Sequence, residues 1–366
     1  MKAKKVFESM SPYKPGKQIE DVKKAYGLNK IVKLASNENP FGYSKQVDQT
    51  IKTFANHFEI YPDGYATELR QLISQDLSVD PDQLVFGCGS DEIITMICQV
   101  YLEPGTNTIM ATPSFSQYKH NALIQGAEVK EIPVINGYHD LQGMLDTIDS
   151  HTRIVWLCSP NNPTGCLIND QSLKSFFDQC RSDVLVVVDE AYFEYITSPE
   201  APDTLSLLDQ YPNLIILRTF SKAFGLASLR VGYGIANLAI SEVLNIARGP
   251  FNVTQIAQKA AAIAYQDKDF LKQSLKETTK SKIMMMNFFD EIGLEYYDSE
   301  TNFIFVKLPC SGDRLFEYLL TRGFIVRSGE ALGHPNAVRI TIGTEDDMKV
   351  LQTEIKSFLD THVGVE

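Results

Sequence analysis

Thr219-Phe220-Ser221-Lys222-Ala223-Phe224-Gly225-Leu226-Ala227-Ser228-Leu229-Arg230-Val231-Gly232-Tyr233-Gly234 is the stretch around which the rest of this chain is organised. It follows an apolar run at 214–217 that has the composition of a buried strand. A single lysine sits there among small residues and hydroxyls, with an arginine eight positions later. A lysine amine becomes nucleophilic when desolvation or a nearby cation depresses its pKa, and it can then form a Schiff base with an aldehyde. Thr219, Ser221 and Arg230 offer hydroxyls and a fixed cation suited to a phosphate beside that aldehyde. An aldehyde and a phosphate on one small molecule describe pyridoxal phosphate. Taken alone, the segment is equally compatible with a surface loop carrying an ordinary solvated lysine.

Two upstream segments tip that balance. The run at 184–188 is β-branched and leucine throughout, as in a central parallel strand, and it ends in Asp189-Glu190-Ala191-Tyr192. Open α/β sheets place their ligands at the carboxyl ends of strands. A carboxylate there can pair with a pyridine nitrogen and keep it protonated, which makes the ring an electron sink. Tyr192 can donate to the ring's phenolic oxygen. A third apolar run, 153–157, ends in Cys158-Ser159-Pro160-Asn161-Asn162-Pro163-Thr164-Gly165, a tight Pro/Gly loop carrying a side-chain amide.

In order and spacing, these three blocks resemble the fold-type I pyridoxal-phosphate aminotransferases, and within them the histidinol-phosphate aminotransferases. The resemblance runs from Ser11 to Gly343 without a large insertion. It implies Lys222 as the cofactor lysine and proton shuttle, Asp189 at the ring nitrogen, and Tyr192 with Asn162 at the ring oxygen. It implies Ser90, Asp91, Thr219, Ser221 and Arg230 around the phosphate, and Phe115 stacked on the ring. Relatives often have tyrosine at that last position, so the π-face is kept and the hydroxyl is lost. Tyr61 is implied to reach across a homodimer interface to the partner's phosphate. Tyr13, Asn37, Arg327 and Arg339 are implied to meet the substrate, and Asn162-Pro163 is implied to be cis.

The implied reaction is transamination of L-histidinol phosphate with 2-oxoglutarate, giving imidazole acetol phosphate and glutamate, in histidine biosynthesis. An aromatic amino acid aminotransferase and a phosphorylated-amino-acid decarboxylase share the scaffold. A non-catalytic, cofactor-sensing regulator fits least, because such regulators usually carry a DNA-binding domain for which 366 residues leave no room.

Elsewhere the residues themselves speak less. The strand at 83–86 ends in Gly87-Cys88-Gly89-Ser90-Asp91-Glu92 and opens a helix, a geometry that presents free N–H groups to an anion. The block 33–42 reads independently as a polar turn cluster, and Tyr61-Pro62-Asp63-Gly64 as a capping turn. Strands recur with helices between them until about 250, a βαβ rhythm that implies a mostly parallel sheet. Runs at 302–307, 324–327 and 337–342, with helices between, form a small α+β domain. The expected fold is therefore α/β: a large domain with a mostly parallel, helix-flanked sheet at 35–262, and a small domain at 263–366 that includes the arm 1–34. That arm carries little core.

Composition narrows the partners. A net charge of −12 argues against a nucleic-acid backbone, and no apolar run approaches the roughly 18 residues of a membrane span. Six cysteines and six histidines show no metal spacing; Cys98, Cys158 and Cys310 read as buried thiols. No apolar segment follows the basic N-terminus, so neither a secretory signal nor disulfides are expected, and the cytoplasm is the expected compartment.

Overall fold

The computed structural model describes residues 1–8, 10–12, 16–54 and 58–362. Tyr13, one of the implied substrate residues, lies outside them.

Among the described residues, twelve strands form three sheets. They are β1 (Val32–Lys33), β2 (Leu84–Gly87), β3 (Asn107–Thr112), β4 (Glu128–Pro133), β5 (Thr152–Cys158), β6 (Leu185–Asp189), β7 (Leu214–Thr219), β8 (Gly232–Ala236), β9 (Phe303–Lys307), β10 (Phe324–Ile325), β11 (Arg327–Ser328) and β12 (Ala337–Thr341). The central sheet has seven strands in the order β2-β8-β7-β6-β5-β3-β4. Neighbours from β7 to β4 are parallel, whereas β8 runs antiparallel to both β7 and β2.

The period of two along each strand assigns side chains to opposite faces. Val186 and Val188 of β6 join one apolar cluster with Leu214 and Ile216 of β7, while Leu185, Val187, Ile215 and Leu217 join the other. Both faces are buried, which is why these strands are apolar without alternation. Each such side chain contributes roughly 1.5–3 kcal/mol of burial free energy.

The second α+β layer packs its own cluster, including Phe289, Ile304, Val338, Leu351 and Phe358. Its three-stranded sheet has the order β11-β12-β9 and is antiparallel. The helix Lys268–Glu291 leads into it, capped by the Asp267 side chain on Phe270 N.

Two expectations are corrected here. The run 324–327 is not one strand: β10 pairs with β1, while β11 turns to pair with β12. Within residues 1–34 the buried side chains are Val22 and Leu34 among the described residues, and β1 lies parallel to β10. Cys310 is half-buried rather than buried, unlike Cys98 and Cys158. Asn162-Pro163 is cis, as are Thr112-Pro113 and Ser159-Pro160. Among the described residues no helix is long and apolar enough to cross a membrane, and no group of three or more His, Cys, Asp or Glu could hold a metal ion.

Candidate active site

A cavity of about 660 Å³ opens at the carboxyl ends of β3, β5, β6 and β7. Lys222, Asp189, Tyr192, Ser90, Asp91, Phe115, Asn162, Thr219, Ser221, Arg230, Asn37, Arg327 and Arg339 all line it. Tyr61 is not among the lining residues.

Lys222 sits in the loop after β7, and its Nζ donates to the Ser36 carbonyl at 3.0 Å. Burial, then the Arg339 guanidinium, pulls its amine down to about 8. The loop is clamped from the 36–42 side. Asn39 Nδ2 donates to Ala223 O at 2.9 Å and to Ser274 Oγ at 2.8 Å. Gly225, at φ 72, passes so close to Gly42 O that a Cβ would collide with it. A lysine held partly deprotonated at a cavity wall is suited to attack a carbonyl.

Asp189 ends β6 and is buried. Its Oδ2 accepts the Tyr118 hydroxyl at 2.6 Å, and its Oδ1 accepts Ala191 N–H at 3.1 Å. Burial pushes the carboxyl up to about 6, against the pull of those two donors. A cationic ring nitrogen placed there would recover the ionised form. Tyr118 was missed by sequence reasoning: its partner lies 71 residues away. Its ring stacks on Trp156 at 4.6 Å, and Trp156 Nε1 is anchored on Thr108 Oγ1 at 2.8 Å.

Tyr192 accepts Asn37 Nδ2 at 2.8 Å, and burial holds its hydroxyl well above the usual phenol range. Asn37 is itself fixed in a left-handed conformation, φ 56, by Thr341 and Asn302 of the second layer. The Asn162 carbonyl oxygen accepts Arg339 Nη1 at 2.5 Å, so its amide nitrogen is the atom available to a ring oxygen. Phe115 lies at the cavity wall, edge-on to Tyr118 at 5.5 Å.

The phosphate cradle assembles from three elements. The helix Ser90–Tyr101 points its N-terminus at the cavity. Arg230 donates to Ser221 Oγ at 3.0 Å and reaches Asp91 Oδ2 at 3.3 Å. Gly89, at φ 79, leaves room for that guanidinium, which a Cβ would strike. Thr219 is turned inward, accepting Ser221 N–H at 3.1 Å and donating to Val231 O at 3.4 Å. Its contribution is to fix the loop, and the residue is more buried than Ser221. Glycine, guanidinium, hydroxyls and helix N-terminus together fit a phosphate monoester.

Arg339 is buried, with Nη2 donating to Ala35 O at 2.7 Å. Arg327 stands directly opposite it across the β11/β12 ladder. Tyr61 is 77% exposed and stacks on Phe251 at 4.6 Å, so it is turned to the outer surface.

Comparison with known proteins shows the family. The family model for aminotransferase class I and II matches residues 29–355. The chain is 53% identical to histidinol-phosphate aminotransferase 2 of Oceanobacillus iheyensis over 359 residues, covering 98% of this chain and 99% of that protein. It is 51% identical to the histidinol-phosphate aminotransferase of Geobacillus thermodenitrificans over 354 residues, covering 96% and 97%. The crystal structure of histidinol-phosphate aminotransferase from Sinorhizobium meliloti in complex with pyridoxal-5'-phosphate superposes with a TM-score of 0.88 at 25% identity, covering 97% of both chains.

Proposed function

Because the chain belongs to the class I and II aminotransferase family, we propose that it transfers the amino group of L-histidinol phosphate to 2-oxoglutarate in histidine biosynthesis, with pyridoxal 5'-phosphate as its cofactor. When bound, pyridoxal phosphate supplies an aldehyde and a ring that takes up the charge left at the substrate's α-carbon. The chain supplies the rest. Lys222 Nζ, at the cavity wall, would hold the cofactor and would be the base that takes the proton from the substrate α-carbon. Asp189 carries the negative charge that keeps the ring nitrogen protonated, and Tyr118 holds that carboxylate in place. Tyr192 and the amide nitrogen of Asn162 hold the ring oxygen. The backbone N–H groups of Ser90 and Asp91, the Ser221 hydroxyl and Arg230 would hold the phosphate, Thr219 would fix their loop, and Phe115 would cover the ring.

The observation that carries the substrate assignment is the register of β11 on β12. Arg327 and Arg339 are directly opposed at the cavity wall. Like charges in that position repel, so the pair makes sense with an anion between them. One guanidinium suffices for a carboxylate, whereas two suit a phosphate dianion. Mixing the protein with histidinol phosphate and 2-oxoglutarate is expected to release glutamate. Arg327→Ala is expected to cut kcat/KM for histidinol phosphate by about ten- to a hundredfold, with a smaller loss for phenylalanine. Equal losses, or a wild type that prefers phenylalanine, would move the assignment to an aromatic aminotransferase; carbon dioxide from phosphothreonine would move it to a decarboxylase.

The lysine gives a pH test. With its amine at about 8, covalent capture of pyridoxal phosphate by the cofactor-free protein should rise about tenfold per pH unit below 8 and level off above. The unfolded chain keeps that proton to its ordinary value of 10.5, so between 8 and 10.5 the unfolded state binds more protons. The contribution of Lys222 to stability therefore rises with pH across that window. A capture rate that stays flat from pH 6 to 9 would remove Lys222 as the attaching group.

We take the assembly to be a homodimer with shared sites, Tyr61 serving the partner's phosphate. Tyr61 is exposed and stacked on exposed Phe251, and Phe58, Ile60 and Ile246 are exposed apolar side chains as well, which supports that arrangement. Free thiols at all six cysteines support a reducing compartment, the cytoplasm. The separate apolar clusters support a division into a large domain at 35–262 and a small one at 263–366 joined by the arm, to which β1 ties itself.

A further inference from the structure

The Tyr61 loop and the phosphate turn of the same chain are joined by a continuous run of hydrogen bonds. Arg248 Nη1 donates to Gly64 O at 2.7 Å and to Asn252 Oδ1 at 3.0 Å. Asn252 Nδ2 donates to Phe86 O, in the last turns of β2, at 3.0 Å and to Glu92 Oε2 at 2.7 Å. Glu92 Oε2 also accepts Cys88 N–H at 2.5 Å, inside the turn itself.

Three details indicate that this run is positional. A carboxylate in the first turn of a helix that cradles a phosphate works against binding by charge repulsion. Glu92 occupies that place with both of its donors supplied, so what it offers is the shape of the turn at 87–91. Asn252 uses each end of its amide on a different element, one end toward Arg248 and the other toward β2 and Glu92. Phe251, between Arg248 and Asn252, has φ 55, a left-handed backbone rare for a bulky residue. That conformation places its ring flat against Tyr61, 14° from parallel, with Gly64 packed on the same ring.

Resting on the shared-site proposal above, we infer that Asn252 is a positioning residue for both halves of the phosphate site: the turn at 87–91 in its own subunit, and the Tyr61 loop that its subunit lends to the other. Asn252 itself is not among the residues lining the cavity, and it acts through Glu92 on one side and Arg248 on the other.

Hybrid dimers separate the two roles. A differently tagged Lys222→Ala chain is paired with a chain of intact lysine, so one site alone captures the cofactor covalently. That site takes its turn from the intact chain and its tyrosine from the Lys222→Ala chain. Pyridoxal phosphate is titrated against the absorbance of captured cofactor, a readout of affinity at that one site. Asn252→Ala is expected to weaken affinity on the order of three- to tenfold when placed in either chain. An effect from the lysine-bearing chain alone, or from neither, overturns the dual role. Tyr61→Phe in the lysine-less chain is the control: if it leaves affinity unchanged, or if no hybrids form, site sharing itself fails. If Asn252→Ala does not fold, Asn252→Gln placed in each chain in turn decides by the same titration, since it keeps an amide but displaces both of its hydrogen-bonding ends.

Discussion

Lys222→Ala binds pyridoxal phosphate without capturing it and transaminates on the order of 10⁴-fold more slowly than the wild type. That magnitude is the upper range for removing a positioned acid–base group, and here the same amine also attaches the cofactor. Borohydride reduction followed by peptide mapping checks it directly. The other lysine among the described residues lining the cavity is Lys119, which is tied to Glu131 at 2.6 Å. A variant that still holds cofactor through a reducible bond would show that some other lysine makes the attachment. The cradle explains why binding survives: Arg230, Ser221 and the helix N-terminus do not depend on the amine.

The largest expected effect on stability lies one strand position away from the chemistry. Glu190, next to Asp189, and Arg218, next to Thr219, form an ion pair at 2.8 Å with exposures of 3% and 4%. Thr204 also donates to Glu190, at 2.6 Å, and the guanidinium lies over the Phe193 ring at 3.7 Å. Removing one member leaves a buried charge without its counterpart, which costs about 3–5 kcal/mol, whereas replacing both with apolar groups can be close to neutral. Arg218→Met is therefore expected to lower unfolding free energy by that amount in urea at pH 7, and a further Glu190→Leu to recover much of it. A single variant within about 1 kcal/mol of wild type would show that the carboxylate finds another partner or takes up a proton.

Much of this architecture was legible in the sequence for a physical reason. Strands buried on both faces cannot alternate, so 153–157, 184–188 and 214–217 stand out as apolar runs, and the polar residues that end them sit at the ligand edge. The orientation of β8 was harder to see, yet a signal existed. Parallel neighbours need a crossover of a dozen or more residues, usually helical. The stretch between β7 and β8 is a Gly- and Ser-containing loop with one short 3-10 turn, Ala227–Leu229, which returns the chain antiparallel. The split of 324–327 into two sheets left no trace, because four apolar or amphipathic residues look the same whichever neighbour they pair with. Side-chain partners were the least visible. Nothing local to Tyr118 announces Asp189, nor does anything near Asn37 announce Tyr192, since the fold alone creates those pairs.

The pairing of β1 with β10 also orders events in time. Val32 meets Phe324 and Lys33 meets Ile325, so this segment pairs with one synthesised about 290 residues later. Translation at about 5–20 residues per second leaves the 32–42 region waiting tens of seconds while the central sheet can already form. Ser36, Asn37 and Asn39, which brace Lys222, Tyr192 and Ala223, thus come into place only after β10 has been made. A nascent chain halted before 324 would hold a nearly complete floor for the cofactor and lack the wall that sets its lysine.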